Sequence, residues 1–334
     1  METTANLLSD KFGRVHDYLR ISLTERCNLR CFYCMPEDGI VLKENEAYMN
    51  KAELLSIAKT FVSLGIKKIR LTGGEPLVRK DAAEIITELG KLPIELAITT
   101  NGILLDKFIP VFKDANINSI NVSLDTLNEA KFNKITRRDY FTKVMSNIDL
   151  LIKNGFNIKL NAVLIKDVND NELIDFIEFT RDRKIHYRFI EFMPFNGNKW
   201  DWSKGVSFEE IMSTVKNVFG NKIIKLTDKK NDTCKSYKID GFEGTFAIIS
   251  SITNPFCDSC NRIRLTADGR IKNCLFSDSE TNILSAFRAG ENITPLIIDT
   301  VLHKKLRRGG MNSMEDILNI EKNSKNRAMV SIGG

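Results

Sequence analysis

The chain has 334 residues, of which 43% are hydrophobic and 28% charged, and its formal net charge is +6. This composition is typical of a soluble globular protein of one large or two smaller domains, and the modest charge suits a small anionic substrate as well as a nucleic acid. No apolar run approaches the ~20 residues of a membrane span, and the first residues lack the pattern of a secretion signal, so we expect a cytoplasmic protein that contacts no membrane.

The first two thirds of the chain alternate between short β-rich runs and longer stretches with helical periodicity. The predicted strands cover residues 18–24, 67–74, 95–102, 119–125, 157–165 and 186–193. In the stretch 51–65, for example, Leu54, Ala58 and Val62 recur at helical spacing, and Gly65 follows where a helix would end. Six strand-then-helix units predict a parallel sheet. Because a closed barrel has eight such units, we predict the α/β class and an incomplete (βα)6 TIM-type barrel with one open side.

The pattern changes after about Gly220. The runs KIIKLT, CKSYKIDG, TFAIISSI and NRIRLTADGRIKNCLF predict antiparallel strands, the last with a hairpin turn at Asp268-Gly269, and a helical tail follows. We therefore divide the chain into residues 1–220 and 221–334. The second part is expected to form a C-terminal α+β extension that covers the open side of the barrel.

Six of the seven cysteines fall into two compact trios. They are Cys27, Cys31 and Cys34, spaced C-x3-C-x2-C in LTERCNLRCFYCMP, and Cys257, Cys260 and Cys274, spaced C-x2-C-x13-C in NPFCDSCNRIRLTADGRIKNCLF, whereas Cys234 stands alone. A zinc ribbon built from the two C-x2-C pairs is the alternative, but it leaves Cys27 and Cys274 without a role. Three thiolates on a 4Fe-4S cluster leave one iron free to bind another group. The spacing therefore favours two clusters that take part in chemistry.

The first trio, with Tyr33 just before its last cysteine, resembles the radical S-adenosylmethionine superfamily. TGGEP at 72–76 ends the second predicted strand, where that superfamily keeps a glycine-rich segment beside the methionyl group. The motifs YLRISLTERCNLRCFYCMP, IRLTGGEPLVRKD, TTNG, NVSLD, RFIEFMPF, FCDSCNRIRL and CLF precede a terminal Gly-Gly. In this order, over residues 10–334, they resemble the molybdenum-cofactor biosynthesis A proteins, the GTP 3′,8-cyclase family.

This resemblance implies a lyase that acts on GTP. The product would be (8S)-3′,8-cyclo-7,8-dihydroguanosine 5′-triphosphate, in the first step of molybdenum cofactor (molybdopterin) biosynthesis. A 5′-deoxyadenosyl radical would take hydrogen from the ribose C3′, and the carbon radical would add to C8 of the guanine. The implied cofactors are S-adenosylmethionine and two 4Fe-4S clusters. The implied partners are cyclic pyranopterin monophosphate synthase downstream and an unidentified reductant protein; a homodimer is allowed, and no nucleic acid is expected.

The resemblance also assigns roles to individual residues. The first trio would generate the radical, and the open iron of the second cluster would hold the guanine. The residues expected to border S-adenosylmethionine are Tyr33, Gly74, Ser123 and Met193. Those expected to bind GTP are Arg20, Arg70, Thr99, Lys159, Arg262 and Arg264, with Arg188, Gly333 and Gly334 near the substrate.

Several of these residues also stand out without the resemblance. Many fall at the carboxyl ends of predicted strands, where α/β barrels carry their sites. Cations on strands that look buried are costly unless paired, and guanidinium groups bind phosphate oxygens bidentately, so the arginines suit a triphosphate. The alternatives are core packing for Tyr33 and Met193, a helix cap for Ser123, solvent exposure for each arginine, and a frayed terminus for Gly333-Gly334.

Two other functions remain as alternatives at this point. A peptide-modifying radical S-adenosylmethionine enzyme with an auxiliary Fe-S cluster usually carries more C-terminal cysteines than the three found here. A zinc-dependent nucleic-acid-binding protein would need aromatic residues interleaved with basic ones, and the aromatic residues here do not cluster with Lys or Arg.

Overall fold

The structure is a computed structural model that describes residues 7–36, 38–319 and 325–333. Its strands are β1 (Tyr18–Ser22), β2 (Lys68–Thr72), β3 (Glu95–Thr100), β4 (Ser119–Ser123), β5 (Asn157–Leu164), β6 (Ile185–Glu191), β7 (Ile223–Lys225), β8 (Lys235–Ile239), β9 (Thr245–Ile249), β10 (Arg262–Leu265), β11 (Arg270–Lys272) and β12 (Thr281–Asn282). Its helices are α1 (Lys51–Ser63), α2 (Ala82–Gly90), α3 (Leu105–Asp114), α4 (Glu129–Thr136), α5 (Phe141–Lys153), α6 (Leu173–Glu178), α7 (Phe208–Phe219), α8 (Ile283–Arg288), α9 (Thr294–Leu302), α10 (Met314–Leu318) and α11 (Met329–Ile332). The strands join in one sheet, in the order β12-β11-β10-β1-β2-β3-β4-β5-β6-β9-β8-β7.

Strands β1 to β6 confirm the predicted alternation of strands and helices. Each pairs in parallel with the next, from Leu19 opposite Ile69 to Ile158 opposite Ile185. These residues belong to the main hydrophobic core, as the apolar runs of a buried parallel sheet should. The α/β class and the mostly parallel sheet are therefore confirmed.

Local sequence explains where the helices start and how they pack. Helix α1 begins with a capping box in which the Asn50 side chain accepts from the Glu53 backbone N–H (3.0 Å) and the Glu53 carboxylate accepts from the Asn50 N–H (2.9 Å). Leu54 and Ala58 lie on its buried face, and Gly65, with φ +108°, follows its end. None of the helices in the described ranges is both long and apolar enough to cross a bilayer.

The expectation of purely antiparallel strands after Gly220 is wrong for two of them. Strand β9 is antiparallel to β8 but parallel to β6, and β10 is antiparallel to β11 but parallel to β1. A β-rich pattern predicts a strand without its direction, and both strands extend the parallel sheet at its ends. The hairpin turn is confirmed, since the Gly269 N–H donates to the Thr266 carbonyl (3.0 Å) between β10 and β11.

This pairing carries C-terminal residues to the first strand of the chain. Arg264 in β10 lies opposite Arg20 in β1, which lies opposite Arg70 in β2. Residues far apart in sequence therefore form one row across three neighbouring strands.

Candidate active site

The first cysteine trio lies in the loop after β1. A turn holds it, because the backbone N–H groups of Cys34 and Met35 donate to the Cys31 carbonyl at 3.1 and 2.9 Å. Cys27, Cys31 and Cys34 all line one cavity, which we call the first cavity. Burial, with Glu75 nearby, raises the pKa of Cys27 to about 11, and burial, with Cys27 and Asp125 nearby, raises that of Cys34 to about 12. These thiols are protonated at neutral pH, and binding of a metal cluster would release their protons.

The glycine-rich segment packs directly on the backbone that leads into this loop. The Gly74 N–H donates to the Thr24 carbonyl (2.7 Å), and the Glu75 N–H donates to the Arg26 carbonyl (2.8 Å). A Cβ atom on Gly74 would lie 2.6 Å from the Arg26 carbonyl oxygen. Glycine is therefore required here for close backbone approach, which fixes the end of β2 against the cysteine loop.

The four residues predicted to border S-adenosylmethionine all line the first cavity; they are Tyr33, Gly74, Ser123 and Met193. The Tyr33 hydroxyl donates to the Asp125 carboxylate at 2.6 Å, which ties the cysteine loop to the end of β4. Ser123 is not a helix cap, since Asn128 caps α4 by accepting from the Lys131 N–H.

The second cysteine trio lines a second cavity, together with four of the predicted basic residues. The cavity contains Cys257, Cys260 and Cys274 with Arg20, Arg188, Arg262 and Arg264. The buried Lys304 ammonium lies 3.4 Å from the Cys260 sulfur and donates to the Arg262 carbonyl (2.7 Å). Burial alone would raise the pKa of Cys260, but Lys304 and Arg262 lower it to about 6. This sulfur is therefore readily held as a thiolate.

Strand register places the predicted GTP residues on one face of the sheet. Thr99, Asn121 and Lys159 lie opposite one another, two residues before the row that pairs Asn161 with Arg188. Because side chains alternate along a strand, residues two apart share a face. Arg70 and Lys159 do not line either cavity; the Arg70 guanidinium donates to the Tyr18 hydroxyl (2.5 Å) and the Ile98 carbonyl (3.0 Å).

These cations lack counter-ions in the part of the chain that the structure describes. None of the ion pairs formed there involves the six residues Arg20, Arg70, Lys159, Arg188, Arg262 and Arg264. Buried nitrogens of Arg20 (Nε) and Arg262 (Nη2) have no hydrogen-bond partner among the described residues. Burial, with Arg188 nearby, lowers the pKa of Lys159 to about 8. Buried or half-buried cations without counter-ions are unfavourable, so this face is suited to bind a polyanion.

The two cavities adjoin. Thr99, Asn161, Ile190, Met193 and Met329 line both of them. A ligand in the first cavity would therefore meet a ligand in the second at this shared wall.

The C-terminal tail reaches the same place. Gly333 is buried, and its carbonyl accepts a hydrogen bond from Arg264. Its φ is +87°, and a Cβ atom would lie 2.5 Å from the Thr72 hydroxyl, so only glycine fits without strain. Gly333 is thus packed rather than frayed, while Gly334 lies outside the described residues.

Several residues of the site were not predicted from the sequence. Asn161 accepts from the Arg188 Nε (2.8 Å) at the wall shared by the cavities, and Met329 reaches that wall from the tail. Asp125 and Lys304 contact residues of the cysteine loops. Asn161 carried a weak signal, since it lies two residues after Lys159 and so on the same face of a predicted strand, but Lys304 in the helical tail carried none.

The donor chemistry of both trios fits Fe-S clusters. In a cluster each cysteine binds a different iron, so the sulfurs need not converge on one point. Within the described ranges, no three Cys, His, Asp or Glu side chains converge on a single metal ion. The two C-x2-C pairs line different cavities, so the alternative of a zinc ribbon is wrong.

Comparisons with known proteins agree with this geometry. Two family models match the chain, the Radical SAM superfamily over residues 21–180 and Molybdenum Cofactor Synthesis C over residues 185–309. The mitochondrial GTP 3′,8-cyclase of Arabidopsis thaliana is 47% identical over 336 residues, which cover 99% of this chain and 84% of that protein. Molybdenum cofactor biosynthesis protein 1 of Homo sapiens is 44% identical over 331 residues, which cover 97% of this chain but 51% of that protein. The chain thus spans about half the length of some relatives.

A solved structure shows the fold at lower identity. Streptococcus suis SuiB bound to S-adenosylmethionine matches with a TM-score of 0.62 and 16% identity, covering 82% of this chain and 65% of that one. The fold and the first cysteine trio define a radical S-adenosylmethionine protein. Within this superfamily, the chain belongs to the GTP 3′,8-cyclase family.

Proposed function

We propose that the chain converts GTP to (8S)-3′,8-cyclo-7,8-dihydroguanosine 5′-triphosphate, in the first step of molybdenum cofactor biosynthesis. One observation carries the proposal: two cysteine trios line adjoining cavities, and the second cavity contains the buried Arg264 with the half-buried Arg20, Arg188 and Arg262. This arrangement supports a radical source beside a nucleotide. A peptide substrate would not explain this group of cations, none of which has a counter-ion among the described residues.

S-adenosylmethionine would occupy the first cavity, beside Tyr33, Gly74, Ser123 and Met193. A 4Fe-4S cluster bound by the first trio would supply the electron that cleaves S-adenosylmethionine, and this cleavage would provide a radical able to take hydrogen from a ribose. The protein's part is to orient and to exclude water. Close packing of Gly74 on the cysteine loop and the Tyr33–Asp125 hydrogen bond hold the lining of this cavity in place.

GTP would occupy the second cavity. Arg20, Arg262 and Arg264 would bind its phosphates, with Arg70, Thr99, Lys159 and Arg188 on the same face of the sheet. A second 4Fe-4S cluster, on Cys257, Cys260 and Cys274, would hold the guanine. The ribose would then lie toward the residues that line both cavities, where the two ligands would meet. Fixing both reactants in this way lowers the entropic cost of their reaction.

The proposal extends to architecture and partners. We infer that the chain has two units, residues 1–220 and residues 221–334. In the first unit β1 to β6 form an incomplete (βα)6 barrel, and the second unit covers the open side of this barrel. The end strands β7 and β12 are not paired with each other in the described chain, which supports an open sheet. Cyclic pyranopterin monophosphate synthase would act next, and an unidentified protein would supply electrons; the proposal allows a homodimer without requiring one.

The direct test is an anaerobic assay with dithionite, S-adenosylmethionine and either GTP or ATP. We expect about eight iron atoms per chain from two 4Fe-4S clusters. We also expect a cyclised product in the assay with GTP and none in the assay with ATP. Four iron atoms would remove the second cluster from the proposal. Equal turnover of ATP would remove the selectivity for guanine.

Arg264→Ala is expected to weaken GTP binding far more than S-adenosylmethionine binding. One charge-assisted hydrogen bond contributes ~1.5–3 kcal/mol, so the GTP dissociation constant should rise roughly tenfold or more. Anaerobic titration calorimetry with each ligand measures both constants. Arg181→Ala is a matched control, because Arg181 is exposed and lines neither cavity; it pairs with Glu178 and stacks on the Phe242 ring. An unchanged GTP constant in Arg264→Ala would exclude this side chain from the phosphate site.

A further inference from the structure

The C-terminal segment 325–333 runs along both cavities. Met329 lines the wall between them, and the Gly333 carbonyl accepts from Arg264 in the second cavity. Ala328 and Val330 pack against Met35 of the cysteine loop. The position of this tail therefore bears on both ligands, which raises the question of what holds it.

Arg327 is the most heavily paired residue of this segment. Its guanidinium donates to both oxygens of Asp268, at 2.9 and 3.0 Å, and to Glu280 at 2.5 Å. It also lies 3.6 Å from a Glu25 oxygen, just ahead of the first cysteine trio. Burial alone would raise the pKa of Asp268, but hydrogen bonds from Arg327, Lys43 and Thr266 hold it well below its ordinary value. The pair is thus fully charged at neutral pH.

Asn326, which precedes Arg327, is also held by hydrogen bonds from its side chain. The buried Asn326 side chain accepts from the Lys272 ammonium (3.0 Å) and donates to the Leu275 carbonyl (3.0 Å). Leu275 directly follows Cys274, the last cysteine of the second trio. Asn326 and Arg327 together therefore bind the tail to the hairpin β10–β11 and to the chain that carries a predicted cluster ligand.

We propose that Asn326 and Arg327 form a polar anchor that positions the tail, so that Arg327 is a positioning residue for the cyclisation. The inference rests on the proposed function but makes a separate claim. Without the anchor, Gly333 would lose its fixed place beside Arg264, and the substrate its fixed orientation. The segment also packs against Cys27 and Cys34 through Ala328 and Val330, so an undocked tail would uncover part of the first trio. We nevertheless expect the radical source to be retained, because the turn that holds the trio, in which the Cys34 N–H donates to the Cys31 carbonyl, does not involve the tail, and Arg327 itself makes no contact with the trio among the described residues.

The carboxylates around Arg327 have other cations, so the fold should survive its loss. Asp268 keeps Lys43 at 2.5 Å and Arg270 at 3.6 Å. Glu280 keeps Lys272 at 3.5 Å. A variant without the guanidinium would lose the tail's contact without leaving either carboxylate unpaired.

The test compares Arg327→Gln, Arg327→Lys and the exposed control Arg181→Gln. Hydrogen exchange followed by mass spectrometry, on protein with and without its clusters, reports whether residues 325–333 stay docked. In Arg327→Gln we expect their amides, including the Ser331 and Gly333 N–H groups bonded to Ala328 and Met329, to exchange about tenfold faster or more. Arg327→Lys should restore part of the protection, because a lysine supplies charge without bidentate geometry.

Activity gives the second readout. Arg327→Gln should keep its iron content and its 5′-deoxyadenosine formation while cyclised product falls, so that the ratio of product to 5′-deoxyadenosine drops about tenfold or more. Unchanged exchange of the tail would overturn the anchor, and a parallel fall of both products would overturn the positioning role. Asp268→Asn tests the same contact from the partner side and leaves the sequence of the tail unchanged. It should also combine faster exchange of the tail with a lower ratio of product to 5′-deoxyadenosine, even if Arg327→Gln folds poorly. If the wild-type chain does not cyclise GTP, the proposed function fails while the exchange comparison still decides the anchor.

Discussion

Cys31→Ala is expected to abolish the formation of 5′-deoxyadenosine while the second cluster survives. The two trios line separate cavities, so the loss of one thiolate should empty only its own site. Iron content should fall from about eight to about four atoms per chain. The measurement is anaerobic iron analysis together with chromatography of the nucleosides formed from S-adenosylmethionine under dithionite.

Two matched variants sharpen this test. Cys274→Ala should lose the second cluster but still form 5′-deoxyadenosine, now without cyclised product. Cys234→Ser should keep its full iron content, because Cys234 belongs to neither trio. Normal 5′-deoxyadenosine from Cys31→Ala would contradict the assignment of the first trio, whereas loss of all iron would contradict the independence of the two sites.

The fold was predictable where the signal is local. Alternating strands and helices between Tyr18 and Glu191 follow from apolar periodicity and glycine positions, and the structure confirms the six strands, with each end within two residues of its predicted place. The direction of strand β9 was not predictable. Its parallel partner β6 and its antiparallel partner β8 require the same β-rich pattern, so only the three-dimensional order of the sheet decides between them.

Some residues of the candidate site could likewise be predicted from local sequence, whereas others could not. Cysteine spacing and the paired glycines carry their chemistry within a few residues, so they stand out in a single sequence. Lys304 and Arg327 do not, because each depends on partners brought together by the fold: Lys304 on Cys260, and Arg327 on Asp268 and Glu280. A lone basic residue in a helical tail resembles any solvated lysine or arginine until its partners are known.

Deleting Gly333 and Gly334 is expected to leave folding, both clusters and S-adenosylmethionine binding intact while cyclised product falls by about 10²-fold or more. Gly333 contacts Arg264 through its carbonyl and lies against Ser22 and Thr72 at the ends of β1 and β2. These contacts of Gly333 lie at the site and do not belong to the hydrophobic core, so their loss should affect the reaction more than the stability of the fold. Removing an interaction that acts in the transition state lowers turnover without an equal loss of stability. Iron content, melting temperature and product from GTP are the measurements.

A second variant separates the role of the glycine from that of chain length. Gly333→Ala keeps all 334 residues but adds a Cβ atom 2.5 Å from the Thr72 hydroxyl at a φ of +87°. It should therefore displace the tail and reduce product as the deletion does. Gly241→Ala is the control, because Gly241 also has positive φ but a Cβ atom there meets nothing within 4 Å. It bears the same backbone strain away from the site and should keep full turnover. Unchanged product in both Gly333 variants would show that the tail's contact with Arg264 has no part in the reaction.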